Sequence, residues 1–338
     1  MTRYLFRRLF LMAFVFLALS LLAFSLSYLF PGDIVQNISG LRQIDEAQRQ
    51  QLVSYYQLEH NVLAQYLAFL QRIAHGDWGL SFASQQPLLQ EIKLLLPATL
   101  ELAAYALLLS FIVGIPLGII AAFKPHNLIG KSISALALVG YSLPIFWWGL
   151  LLIMLFSLAL GWLPSAGRIG VLYEIPHHSG FILYDILQAD VKYRIEALHN
   201  ALQHLLLPTV VLATFPTTVM IRFVRDAMLN VWEQNYIKTA RAKGLSRGQV
   251  LYRHGLRNAL LPVIRQIGLQ FSTLITLAML TEVIFSWPGI GRWLIDSIYQ
   301  RNYPAIQAGL LVISTLVIAV NMLTEILHAL FNPLARRG

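Results

Sequence analysis

Six stretches of this chain stay apolar long enough to cross a hydrocarbon layer: 9–29, 99–123, 133–160, 205–223, 263–285 and 306–327. A helix rises about 1.5 Å per residue, so about 20 apolar residues cover the roughly 30 Å of a bilayer core. Each stretch is assigned as helix, because backbone amides in hydrocarbon must be satisfied within their own segment. The pattern predicts an all-α integral membrane protein with six transmembrane helices, organised as a single transmembrane domain over 1–338. Polar segments at 31–96 and 161–204 and a basic loop at 224–262 interrupt the apolar ones. Pro116 and Pro144 fall inside spans and remove backbone hydrogen bonds, which predicts a kink or local unwinding at each. Gly114 and Gly118, four residues apart, predict a close approach by another helix.

Composition agrees with this reading. The chain is 57% hydrophobic and 12% charged, against about 45–50% and about 25% in soluble domains. It has no cysteine, which excludes a disulfide framework and a thiolate metal site. The formal charge of +9 follows the membrane rather than a nucleic-acid face. With the N-terminus inside, Arg3, Arg7, Arg8, Lys124, Lys131, nine basic residues from Arg222 to Arg265, Arg336 and Arg337 all fall on the inner side. The remaining nine are spread over much longer outer loops. This bias predicts both termini in the cytoplasm. The first span exceeds the apolar run of a secretory signal and lacks a small-residue cleavage pattern, which predicts an uncleaved anchor. Tyr55, Tyr56, Tyr66, Phe69, Trp78, Tyr173, Phe181 and Tyr184 predict that the outer segments are packed rather than disordered.

The basic loop faces its nine cations with only two acids, Asp226 and Glu233. Charge alone reads as a patch on anionic headgroups. The pattern favours a short helix through Tyr236 that Gly244 terminates, with Pro262 marking the return to the membrane. Glu101, Glu282 and Glu325 lie within spans, where ionisable groups are expensive and are candidate functional residues. Each either hydrogen-bonds between helices or lines a pathway. Glu101 and Glu282, with Tyr141 and Ser142, are the candidate pathway residues. Gly130-Lys131-Ser132 imitates the end of a phosphate-binding loop, but Pro125 stands at the earlier glycine position. His177-His178 and the pair His199 and His204 lack zinc-ligand spacing and read as surface residues, so no metal is expected. Asp33 and Asp77 lie outside the spans and do not make a carboxylate pair.

The ordered set Arg3-Tyr-Leu-Phe-Arg-Arg8, Pro31-Gly-Asp33, Gly76-Asp-Trp-Gly-Leu-Ser81, Pro97-Ala-Thr-Leu-Glu101 and Ser142-Leu-Pro-Ile-Phe146 continues beyond the third span. It runs on through Leu163-Pro-Ser-Ala-Gly-Arg168, Thr239-Ala-Arg-Ala-Lys-Gly-Leu-Ser246, Arg257-Asn-Ala-Leu-Leu-Pro262 and Phe285-Ser-Trp-Pro-Gly-Ile-Gly-Arg292. Over essentially the whole chain this resembles the permease subunits of peptide-type ABC importers, the dipeptide and oligopeptide permease family. Leu160-Gly-Trp-Leu-Pro164 and Gly180-Phe-Ile-Leu-Tyr-Asp185 are similar to its Sap branch.

The resemblance implies a type I ABC importer-like fold in a bacterial inner membrane, with 31–96 and 161–204 periplasmic and 224–262 a cytoplasmic coupling loop. It implies a second homologous permease, two cytoplasmic ATPases that bind the ATP and Mg, a periplasmic substrate-binding protein and surrounding lipid, with no nucleic acid. This chain would be a non-enzymatic pore subunit without its own cofactor. Peptides, among them cationic antimicrobial ones, are the implied cargo, with putrescine export by the same machinery as the alternative. An ATP-independent carrier is the rival class. The family's coupling segment reads Glu-Ala-Ala, three residues, Gly; here Lys238-Thr239-Ala240 stands in that place, so the Glu is absent. ATPase coupling is carried over to Lys238, Thr239, Ala240, Arg241, Gly244, Leu245, Ser246 and Pro262.

Overall fold

The computed structural model describes residues 2–331, and among them the regular structure is helical apart from one antiparallel bridge between Leu80 and Pro87. The elements are α1 (Thr2–Leu29), α2 (Ile34–Ser39), α3 (Glu46–Tyr55), α4 (Val62–Ala74), α5 (Leu88–Phe123), α6 (Leu128–Ser142) and α7 (Ile145–Leu152), which a π-turn extends over Ile153–Ala159. They continue with α8 (Ile182–Gln188), α9 (Arg194–Trp232), α10 (Asn235–Ala242) and α11 (Arg247–Val250). After a π-turn at Leu251–Gly255 come α12 (Leu256–Ile284), α13 (Ile290–Tyr299) and α14 (Tyr303–Phe331).

Helices α5, α9 and α12 form the centre. Ala98, Leu102 and Ala106 of α5 pack with Leu205, Leu212 and Ala213 of α9 and with Leu274 and Ala278 of α12. Two-thirds of the most apolar stretch of α9 is buried, against 17% for α1, so α9 is a core helix and α1 a peripheral one. The approach of α5 to α9 depends on the two small residues the sequence marked. A Cβ at Gly118 would lie 2.8 Å from the Ile221 carbonyl oxygen, and one at Gly114 would lie 2.8 Å from the Met220 Cβ.

Among the described residues five helices are continuous, long and apolar enough to cross a membrane, and a sixth candidate is a bent pair. The expected single span at 133–160 breaks between Ser142 and Ile145, and its halves lie 104° apart. Leu143 and Pro144 take extended backbone at the break, as a residue before proline prefers. Pro116 behaves differently, because α5 runs through it without interruption. Several helices also outrun their apolar stretches: α5 begins at Leu88 and α9 reaches from Arg194 to Trp232.

The segments outside the spans are folded. Within 31–96, α3 and α4 each start from a side-chain N-cap, Asp45 and Asn61. Phe69 and Tyr66 pack against Phe24 of α1, and Tyr56 is buried. Tyr55 and Tyr184 are exposed instead. His204 departs from its reading as a surface residue: it is buried, and its ring Nδ1 donates to the Asn200 carbonyl, 2.8 Å away.

Candidate functional site

The basic loop between α9 and α12 forms a compact segment at one end of the bundle. Within α10, Ile237 and Ala240 are one turn apart and share a buried face with Val250, against Val231, Trp232 and Leu245. That contact fastens α10 to the end of α9. Lys238 and Thr239 lie on the exposed side, and the Thr239 hydroxyl donates to the Asn235 carbonyl at 3.0 Å. Gly244 ends the helix at φ +81°, with open space around its Cα. A side chain there would have room but would need left-handed backbone, which L-residues adopt at a cost. Ser246 starts α11 with a reciprocal cap: the Gln249 N–H donates to its hydroxyl, and its own N–H donates to the Gln249 side chain at 2.9 Å.

Of the expected coupling residues, Lys238, Thr239, Gly244 and Ser246 are therefore surface positions, and Leu245 is half-buried. Ala240 faces inward and serves packing. The side chains of Arg241 and Pro262 lie outside the described residues. The segment joins α9 to α12 in the chain, with α10 packed on the end of α9.

At the other end of the bundle the two acids flagged as pathway residues are both enclosed. Glu101 is 2% exposed and paired with Arg168, whose Nη2 and Nε donate to it, the latter at 3.1 Å. The same guanidinium donates to the Gly180 carbonyl at 2.7 Å and lies 5.7 Å from the Trp287 ring centre. The Ile182 and Leu183 N–H groups at the start of α8 also point at Glu101. Glu282 is fully buried; it accepts from the Thr99 hydroxyl at 2.5 Å and from the Arg292 N–H at 2.8 Å, at the start of α13. Gly289 and Gly291 leave room for the carboxylate, since a Cβ on either would collide with it. Trp287 closes the turn, its indole N–H donating to the Ala98 carbonyl at 3.0 Å.

Both acids thus pin loops to the helical core: Glu101 is paired with a guanidinium, and Glu282 is held by a hydroxyl and a backbone N–H. Sequence reasoning paired neither with its partner. Arg168 was visible only as the end of the Leu163–Arg168 motif, 67 residues from Glu101. Beside this network, Asp185 accepts from the Ser179 N–H, the Ser179 hydroxyl and the Gly180 N–H. Burial pushes the Asp185 carboxyl up, but these donors together outweigh it and hold the group below the usual carboxylate range.

The remaining candidates, Tyr141 and Ser142, stand at the end of α6 immediately before the 104° break. Tyr141 is 45% exposed and stacks on Phe215 of α9, ring centres 5.2 Å apart. The Arg222 guanidinium lies 5.2 Å from the centre of the same ring. The Ser142 hydroxyl donates to the Leu138 carbonyl at 3.0 Å. This face of the bundle is uncovered in the single chain.

Comparison with known proteins places this architecture. Residues 114–337 match the family described as binding-protein-dependent transport system inner membrane component, and residues 1–103 match its N-terminal companion. The di/tripeptide transport system permease DppB of Pseudomonas aeruginosa is 45% identical over 330 residues, covering 98% of this chain and 97% of that one. The Escherichia coli protein named as the putrescine export system permease SapB is 47% identical over 265 residues, covering 78% and 83%. Escherichia coli DppB, a dipeptide permease by name, is 41% identical over 99% of both chains.

Likeness of similar strength to both branches marks the family rather than one member. Among solved structures, the inward-facing MetNI methionine ABC transporter shares the fold, with a TM-score of 0.51 at 17% identity over 71% of this chain and 96% of that one. The chain belongs to the inner-membrane permease components of binding-protein-dependent transport systems.

Proposed function

We propose that this chain is one half of a heterodimeric pore through which an ATP-driven importer moves short peptides across a bacterial inner membrane. The basic end of the bundle, which carries α10 and α11, faces the cytoplasm, in keeping with the positive-inside bias. Segments 31–96 and 161–204 then face the periplasm, where a substrate-binding protein docks. Two cytoplasmic ATPases bind ATP and Mg and seat the exposed side of α10. ATP-driven closure of the ATPases pushes α10, and through it α9 and α12, so that the pathway changes the side to which it opens. Such coupling requires the ATP-bound motor to contact the two permease states with different free energy.

The observation that carries this reading is the construction of α10: an exposed helix face backed by Ile237 and Ala240 and wedged onto the end of α9. Family membership supports the transport class, and relatives named for di- and tripeptides support the cargo. A second reading, putrescine export, is favoured by the relative that carries that name. Co-expression with its partner permease and ATPases, followed by reconstitution, separates the possibilities. ATP-dependent uptake of a tripeptide, without movement of putrescine, is the expected result. Transport by the purified chain alone, without any ATPase, would place it among ion-driven carriers instead.

A further inference from the structure

We propose that Arg222, held over the ring of Tyr141, is a membrane-embedded carboxylate-binding group that receives the C-terminal carboxylate of a peptide in transit. This rests on reading the chain as a peptide permease and names the part of the substrate that this half of the pore recognises.

Depth is the first argument. Gly118 abuts Ile221, the neighbour of Arg222 on α9, and Lys124 follows Gly118 by six residues. On the helical rise, Arg222 therefore starts roughly 9 Å further into the apolar layer than the first lysine of the basic end. Its guanidinium does not return toward that end. It reaches Tyr141, whose neighbour Gly140 packs on Thr218 and Thr214, one and two turns deeper along α9. A basic side chain that served only to meet headgroups would extend the opposite way. Charged groups at such depth face a water-filled cavity or a partner, because exposure to lipid is too costly.

The second argument is the chemistry of the group. The guanidinium is exposed, and among the described residues no carboxylate is paired with it. With the cation set over the Tyr141 ring, the guanidinium N–H groups that do not meet the ring remain available to donate. That fork matches a carboxylate in two-point geometry. Tyr141 is itself braced by Phe215, so the cation is held in a defined place. The adjacent break at Leu143 and Pro144 is irregular backbone at membrane depth, which is tolerated where it lines a cavity or is buried in protein.

The third argument is what the acids do. Glu101 and Glu282 are satisfied within the fold, so neither supplies negative lining for a polycation. The charged group presented beside the break is positive. It attracts the carboxylate that every unblocked peptide carries and repels a diamine.

The test uses the complete complex in proteoliposomes, with the binding protein and ATP. Uptake of a tripeptide with a free C-terminus is compared with uptake of its C-terminal amide, the latter at a concentration that gives the unaltered protein a measurable rate. Delivery by the binding protein is common to all variants and cancels when each variant is divided by the unaltered complex. Arg222→Gln is expected to lower uptake of the free acid at least tenfold and of the amide less than twofold. Arg222→Lys, which keeps charge without the fork, is expected to fall between. Equal loss for acid and amide would overturn the inference and assign Arg222 to a contact with the partner permease. No loss for either would overturn it as well. Failure of the unaltered complex to take up any peptide would instead overturn the peptide reading on which the inference stands.

Discussion

The two ends of this bundle are built on opposite rules. At one end Glu101, Arg168, Thr99 and Glu282 are enclosed, and each charge or hydroxyl meets a partner from a distant part of the chain. At the other end α10 shows Lys238 and Thr239 outward and packs Ile237 and Ala240 inward with Val250. The first arrangement resists deformation, because moving any member strands a buried polar group. The second presents an exposed helix face over a small apolar cluster, and the proposed coupling requires it to be the part that moves.

Breaking the enclosed end has the largest expected effect. Arg168→Ala leaves Glu101 buried without its cation and is expected to cost about 3–5 kcal/mol, measured by unfolding the detergent-solubilised complex. The double replacement Glu101→Ala with Arg168→Ala is expected to recover much of that loss, since no charge is then stranded. Next comes Ile237→Ala, with an expected local cost of about 2–4 kcal/mol. Here hydrogen exchange is expected to rise over residues 235–250 while the central helices stay protected, and ATP hydrolysis is expected to continue with reduced transport.

Gly244→Val is smaller in energy, about 1–2 kcal/mol for forcing a side chain into left-handed backbone. Its functional effect is expected to exceed its stability effect: at least a tenfold fall in peptide moved per ATP, with the bundle's unfolding midpoint nearly unchanged. Acidification has the smallest effect. The Asp185 carboxyl is depressed in the fold, so its contribution is complete above the unfolded value of about 3.9 and is lost as pH falls through the lower folded value. Hydrogen exchange over 179–188 is therefore expected to be flat from pH 7 to about 5 and to rise only below about 4. Asp185→Asn is expected to remove that acid step.

The same contrast explains what the sequence made legible. Apolar length located the helices that are long and apolar enough to cross a membrane among the described residues, because such length is a property of a contiguous run. It placed one bent pair as a single span, since hydropathy is continuous across Pro144 and carries no information on direction. It also cut α5 and α9 short, because their polar ends at Leu88–Lys93 and Arg194–Gln203 are held helical by neighbouring segments rather than by lipid. Gly114 and Gly118 were readable in advance, since four-residue spacing is local. The roles of Glu101 and Glu282 were not: Arg168 and Thr99 reach them across 67 and 183 residues, and no periodicity records such pairings. Arg222 went unnoticed for a related reason: it lies at the end of the apolar stretch 205–223 and was counted with the basic residues of the inner side, and only the packing of α9 against α6 shows what its side chain meets.

Whether an ATPase seats on the exposed face of α10 can be read directly because the chain contains no cysteine. Single cysteines at Lys238, Thr239 and Ala240, placed in the assembled complex, are treated with a short bifunctional reagent with and without ATP. The account predicts cross-links to an ATPase subunit from Lys238→Cys and Thr239→Cys whose yield changes on ATP binding, and little from the inward-facing Ala240→Cys. A complex that hydrolyses ATP and carries peptide while neither exposed position touches an ATPase in any state would contradict it.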